Sequence, residues 1–169
     1  MKILKTIGIA TLACWMLSSC GSSVKDEFVG TWVIESIEEV PGYNILEQEE
    51  ILTLNNDDTF TQSFAYLDEG EIDTLAIVTI GGTWDISNDY LEMKYDTASI
   101  TIICEDEDTK DLFVENITGN AIASNDNLDK AHKNGEQYGI KNVAVKDDKI
   151  ISKKTPKDNT GETIYHRKK

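Results

Sequence analysis

Hydrophobic side chains recur at every second position along most of this chain, a period that commits a segment to a half-buried β-strand rather than a helix. Over Thr59–Tyr66, Phe60, Phe64 and Tyr66 share one face while small or polar residues take the other. Leu91, Met93 and Tyr95 are grouped the same way within Tyr90–Tyr95. In Ile72–Ile80 the apolar residues split, with Ile72, Ala76, Val78 and Ile80 on one side and Leu75 and Ile77 on the other. That pattern predicts a strand covered on both faces. Further strands are predicted over Val29–Val40, Ile51–Leu54, Thr83–Ser87, Ser99–Glu105, Asp111–Ile117, Asn120–Ser124, Val143–Lys146, Lys149–Lys153 and Glu162–Arg167. β-Branched and aromatic residues dominate these runs, as half-buried strands prefer.

Turn chemistry separates the runs. Asn55-Asn56-Asp57-Asp58, Gly81-Gly82, Ser87-Asn88-Asp89 and Thr118-Gly119-Asn120 supply residues that tolerate left-handed or tightly turning backbone. No amphipathic helix stands out. Short strands and regular turns predict an all-β, antiparallel up-and-down meander closing into a small barrel, since closure removes exposed strand edges. The polar stretch 125–139 fits a loop or a short helix from Asn127 to Asn134.

The first twenty residues read as an export signal. Lys2 and Lys5 give a positive start, Ile7–Leu17 is an apolar run, and Leu17-Ser18-Ser19-Cys20 ends it. The run falls short of the roughly 20 residues a bilayer core needs and fits the roughly 7–15 of a secretory signal. Its ending resembles the bacterial lipobox, in which the cysteine thiol takes a diacylglyceryl group and small residues admit the signal peptidase. Cys20 is therefore the expected lipid-attachment residue, and two or more acyl chains anchor stably where one does not. The expected organisation is a signal peptide over 1–19, a lipidated tether over 20–27 and one domain over 28–169. Gly21-Ser22-Ser23 gives the tether flexibility. Asp26-Glu27 resembles the acidic surface-export signal of Bacteroidetes lipoproteins. The expected location is the cell envelope, at the outer membrane.

Charge and cysteines narrow the function further. The chain has a net charge of −15, and from Lys141 onward nine basic residues stand against four acidic ones. The acidic bulk ahead of Lys141 repels nucleic acid, so no nucleic-acid partner is expected. With Cys14 in the signal and Cys20 acylated, Cys104 is left without a partner for an intramolecular disulfide. It shares strand parity with Ile100 and Ile102 and reads as a buried core cysteine.

Motifs that would carry catalysis or metal are weak. Glu47–Glu50, Asp68–Asp73 and Glu105–Asp108 read as solvated hairpin tips rather than as a glycosidase carboxylate pair. Asn125, Asn127, Asp129 and Glu136 have the oxygen spacing of a calcium loop, but Lys130 stands where glycine is needed. His132 and His166 lack further ligands at zinc spacing, so no metal or other cofactor is expected. Asp73-Thr74-Leu75 and Asp96-Thr97-Ala98 match a short O-glycosylation acceptor, the second in an expected turn. Trp32, Phe60, Phe64, Tyr66, Trp84, Tyr90 and Tyr95 either fill a core or line a ligand cavity, and fill is the ordinary fate in a small barrel.

The order of motifs carries a family resemblance. Val29-Gly30-Thr31-Trp32 resembles the Gly-x-Trp start of the first lipocalin strand. Ile51–Phe60, Gly82-Thr83-Trp84-Asp85-Ile86 and Leu91–Tyr95 follow as in the lipocalin-like domain lipoproteins of the Bacteroidetes type. Here Asp57-Asp58 stands where the pattern usually has Asp-Gly. The resemblance covers about residues 28 to 104 and implies a lipocalin-like barrel holding a small apolar ligand. Two non-catalytic functions follow: a membrane-anchored ligand carrier, or a ligand-free interaction module serving as accessory subunit to an envelope protein partner. The carrier leads; an enzyme comes third, for want of a motif.

Overall fold

The computed structural model describes residues 24–39, 45–68, 74–141, 143–152 and 164–168. A short helix, α1 (Val24–Phe28), leads into β1 (Gly30–Glu39), β2 (Ile45–Leu54), β3 (Thr59–Asp68), β4 (Thr74–Ser87) and β5 (Tyr90–Cys104). A long helix, α2 (Glu107–Lys133), precedes β6 (Val143–Lys146), β7 (Lys149–Ser152) and β8 (Ile164–Arg167). All strands join one antiparallel sheet in the order β5-β4-β3-β2-β1-β8-β7-β6. The expected meander is therefore present.

Turn residues act where the sequence placed two of them. Asn88 and Asp89 both have positive φ (46° and 67°) in the two-residue link from β4 to β5, and Asp147 and Asp148 repeat this between β6 and β7. Such paired left-handed residues match the twist of a hairpin. At the β2–β3 tip, Asp57 Oδ1 accepts from the Thr59 amide and hydroxyl, which holds its carboxyl below the ordinary aspartate range. Gly81-Gly82, expected as a turn, instead lies inside β4. A side chain on Gly82 would run into the Lys94 carbonyl and the Phe60 ring, so close approach explains the glycine. The break expected between Tyr95 and Ser99 is an irregularity within β5: pairing passes from Thr79↔Thr101 to Gly81↔Asp96. Ser99 Oγ accepts from the Gly81 amide across it.

The sheet does not close into a barrel, which corrects the expected closure. Length is the reason. β6 has four residues and β5 fifteen, spans of about 13 and 50 Å at 3.3 Å per residue. Only the start of β5 is reached from that side. Leu91 and Ile140 exchange backbone hydrogen bonds, and the Val143 amide donates to the Asp89 carbonyl. Further along the same edge, α2 takes over. Asn125 Oδ1 accepts from the Tyr95 amide while its Nδ2 donates to the Tyr95 carbonyl, both at 2.8 Å. One side-chain amide thus replaces a neighbouring strand at an otherwise open edge.

α2 overturns several expectations at once. The strands predicted over Asp111–Ile117 and Asn120–Ser124 and the turn at Gly119 all fall in this one helix, and of the two readings of 125–139 the helix from Asn127 holds as far as Lys133, as the end of a longer one. Its packed residues are Phe113, Ile117, Ala121, Leu128 and Ala131, a stripe at helical spacing diluted by small side chains. Asp106 caps it by accepting from the Thr109 amide, Glu107 and Asp108 begin it, and Lys130, His132 and Lys133 end it, which suits the helix dipole. Among the described residues no helix is long and apolar enough to cross a membrane. β4 is also covered on one face only: Ala76, Val78 and Ile80 are buried, whereas Ile77 is exposed. Ile72 lies outside the described residues.

Candidate functional site

Two apolar clusters occupy the concave face of the sheet. The larger is built from Phe28, Trp32, Leu52, Leu54, Phe60 and Trp84, with Leu91, Val143, Ile150 and Tyr165. Its two tryptophans come from the repeated Gly-Thr-Trp and are held alike. Trp32 Nε1 donates to the Phe28 carbonyl at 2.7 Å, and Trp84 Nε1 donates to the Asn55 carbonyl at 3.0 Å. A cation covers each ring: Arg167 lies 4.2 Å from Trp32 and Lys25 lies 4.8 Å from Trp84. Burial works against the Lys25 charge, but the hydrogen bonds it donates to Asp58 and Asp85 outweigh this and hold the ammonium above its ordinary value. Arg167 also donates to the Val29 and Glu27 carbonyls, tying β8 to the start of the domain. This end is sealed.

The smaller cluster lies further along β3 and β4, where Tyr66, Ala76 and Val78 pack with Phe64, Ile102, Cys104, Phe113 and Ile117. Here α2, rather than more strands, covers the sheet. Between the two clusters a half-open cavity of about 340 Å³ remains. Phe64, Tyr66, Ile80 and Tyr95 line it from the sheet, and Ile117, Asn120, Ala121 and Ser124 from the helix. A second hollow of about 260 Å³ shares Tyr95 and Ser124 with it and reaches Tyr138 and Ile140.

A polar group interrupts the apolar wall. Gln62, also lining the cavity, donates through Nε2 to Glu50 Oε1 at 2.7 Å, and the Tyr165 hydroxyl donates to the same oxygen at 2.8 Å. Burial pushes the Glu50 carboxyl above the ordinary glutamate range, with the two donors pulling the other way. Burial also raises the Tyr95 hydroxyl, and the nearby Glu50 charge adds to this, bringing it to about 12. Gln62 Oε1 is buried without a hydrogen-bond partner.

The residues singled out in the sequence fall into three groups. Of the aromatic set, Trp32, Phe60 and Trp84 fill the sealed end, Phe64, Tyr66 and Tyr95 line the cavity, and Tyr90 is half-buried. Some members of that set therefore fill the core and others border a cavity. Among the carboxylate runs, Glu50 is buried instead of sitting at a tip, because β2 begins at Ile45 rather than Ile51. Asp106, Glu107 and Asp108 start α2, and residues 69–73 lie outside the described residues. The calcium-like spacing is spent on the helix, with Asn125 bound to Tyr95 and Asp129 to Lys94. His132 Nε2 stands 2.9 Å from Glu92 Oε2, His166 is exposed in β8, and Cys104 is half-buried. Thr97 is exposed within β5 rather than in a turn. Cys20 lies outside the described residues.

Glu50, Gln62, Glu92 and Tyr165 were missed. The signal for the first two was present: Glu50 shares parity with Leu52 and Leu54, and Gln62 with Phe60 and Phe64. Glu92 is the other buried carboxylate among the described residues, but it alternates with the inward Leu91 and Met93. Glu50 and Glu92 therefore stand on opposite faces of the sheet, not across one cleft as acid–base hydrolysis of a glycoside requires. Among the described residues, no group of three or more His, Cys, Asp or Glu could hold a metal ion.

No curated protein and no solved structure matches the chain. One family model does, that of a lipocalin-like domain, over residues 28–123. The match runs from the buried Phe28 through the five long strands and into α2 as far as the cavity-lining Ala121. The chain belongs to the lipocalin-like domain family.

Proposed function

We propose that this protein is a non-catalytic lipoprotein of the bacterial cell envelope, held to the outer membrane by lipid on Cys20, that carries a small, largely apolar ligand. The cavity of about 340 Å³ under α2 is the observation that carries this reading. Concave, mostly apolar hollows with a few fixed polar groups are the usual form of small-molecule sites. It also weighs against the ligand-free interaction module. The anchor suits the geometry. Lys25 in α1 pairs with Asp58 at the β2–β3 tip and with Asp85 in β4, so α1 sits at the sealed end. From Asp58 to Tyr66 along β3 is about 26 Å at 3.3 Å per residue, so α1 and the far wall of the cavity stand well apart along the sheet.

Native mass spectrometry of protein purified from its own host tests the carrier. The expected result is an added mass that disappears on denaturation. A ligand-free native mass, combined with no fluorescence enhancement of Nile red, would reject it. The anchor is tested on the same sample, where the N-terminal peptide should begin at an acylated Cys20; an unmodified Cys20 rejects it.

A further inference from the structure

Gln62 has its amide orientation fixed by chemistry. Its NH2 donates to Glu50 Oε1, and the carbonyl of the same amide therefore faces away from that carboxyl. That carbonyl oxygen is buried without a partner on a side chain only 6 % exposed, in a residue that lines the cavity. A buried acceptor left unmet costs free energy that a ligand donor would recover. Glu50 is in a related position, 9 % exposed and satisfied by two neutral donors. Among the described residues no lysine, arginine or histidine forms an ion pair with it.

The rest of the lining points the same way. Among the described residues it contains no cationic side chain, and Asn120 already donates to Asn116. Phe64, Tyr66 and Tyr95 offer aromatic surface, which attracts cations. A chain of net charge −15 draws cations toward it and repels anions.

Building on the carrier reading, we infer that the ligand is a small amphipathic cation, an aryl- or alkylamine. Its ammonium group donates to Gln62 Oε1 and is countered by Glu50, while its apolar body lies against Phe64, Ile80 and Ile117. An ammonium is all donor, matching a site whose free polar atom is an acceptor. A carboxylate of the same size would meet that acceptor and the Glu50 charge.

Three probes with one apolar body separate the possibilities: phenylbutylamine, phenylbutanol and phenylbutyrate, titrated calorimetrically into the purified protein near neutral pH. The amine should bind about tenfold or more tightly than the alcohol, the ratio expected for a charge-assisted hydrogen bond, and the acid should bind weakest. Glu50→Gln, which keeps size and hydrogen bonding, should bring amine affinity down to that of the alcohol. Equal affinities, or preference for the acid, overturn the cation and leave the carrier reading standing. Failure of all three probes, with no added native mass, removes both. The wild-type comparison needs no variant to fold, and circular dichroism of Glu50→Gln guards the second arm.

Discussion

The two ends of the concave face share strands β3, β4 and β5 and are treated oppositely. At the sealed end, Trp32 and Trp84 fill the space, each with its indole N–H satisfied and a cation over its ring. At the other end the sheet meets a helix whose packed face includes Ala121 and Ser124. Small residues there leave a hollow, whereas at the other end Trp32 and Trp84 are themselves buried in the cluster. Tight fill stabilises, whereas a void forfeits contact energy. A chain can hold an open site at one end only if the other supplies the stability, and the placement of bulk fits that division.

The sharpest way to break the comparison is to remove bulk from each end. Trp32→Ala should cost about 3–5 kcal/mol, the range for large aromatic truncations in a core. Phe64→Ala, at the rim of an existing cavity, should cost about 1–2 kcal/mol for its partial burial. Denaturant unfolding of both measures this, and equal losses would end the distinction between the ends.

Adding a methyl group asks the reverse. Gly82→Ala drives a Cβ into the Lys94 carbonyl and to 2.8 Å from the Phe60 ring, and overpacking of that kind costs about 1–3 kcal/mol. Gly119→Ala meets nothing within 4 Å inside α2 and should stabilise by about 0.5–1 kcal/mol through helix propensity. Opposite signs in thermal melts support the contrast; the same sign refutes it.

Asn125 holds the helix over the cavity. Asn125→Ala removes both hydrogen bonds to Tyr95 and should cost about 1–2 kcal/mol. Hydrogen exchange at the Tyr95 amide should quicken while that at Trp32 stays slow. Uniform acceleration would mean that the helix and the sealed end unfold together.

The smallest effect is a pH dependence. Burial raises the Glu50 carboxyl in the folded state, so the folded chain binds the proton more tightly than the unfolded one. The contribution is fully present below the ordinary value of 4.5 and is lost as pH rises through the folded value. Glu50→Gln has no proton to lose. Its stability relative to the wild type should therefore improve as pH rises through that window, read as a difference in melting temperature. A flat difference would show that Glu50 keeps its ordinary affinity for the proton.

Alternation in Thr59–Tyr66 and Tyr90–Tyr95 was enough to place strands because side chains on a strand alternate whatever surrounds it. The repeated Gly-Thr-Trp likewise marked both plugs. α2 was hidden because Leu112, Phe113, Val114 and Ile117 read as a strand and its packed stripe is diluted by Ala121 and Ala131, although Asp106 and the charges at both ends were valid signals. Glu50 was hidden inside an acidic run, where composition suggests solvent and only parity with Leu52 suggests the core.

By itself, the sequence determined the antiparallel meander of long strands, the turns at Asn55–Asp58 and Asn88–Asp89, and the family. These depend on residues close together in the chain. Tertiary structure alone decided that the barrel stays open, that α2 completes the edge of β5, and that Glu50, Gln62 and Tyr165 meet. Those outcomes depend on the relative lengths of distant strands and on pairings such as Glu50 with Tyr165, 115 residues apart. No local pattern encodes such a meeting, because burial and partner choice are set only when the whole sheet has curved around them.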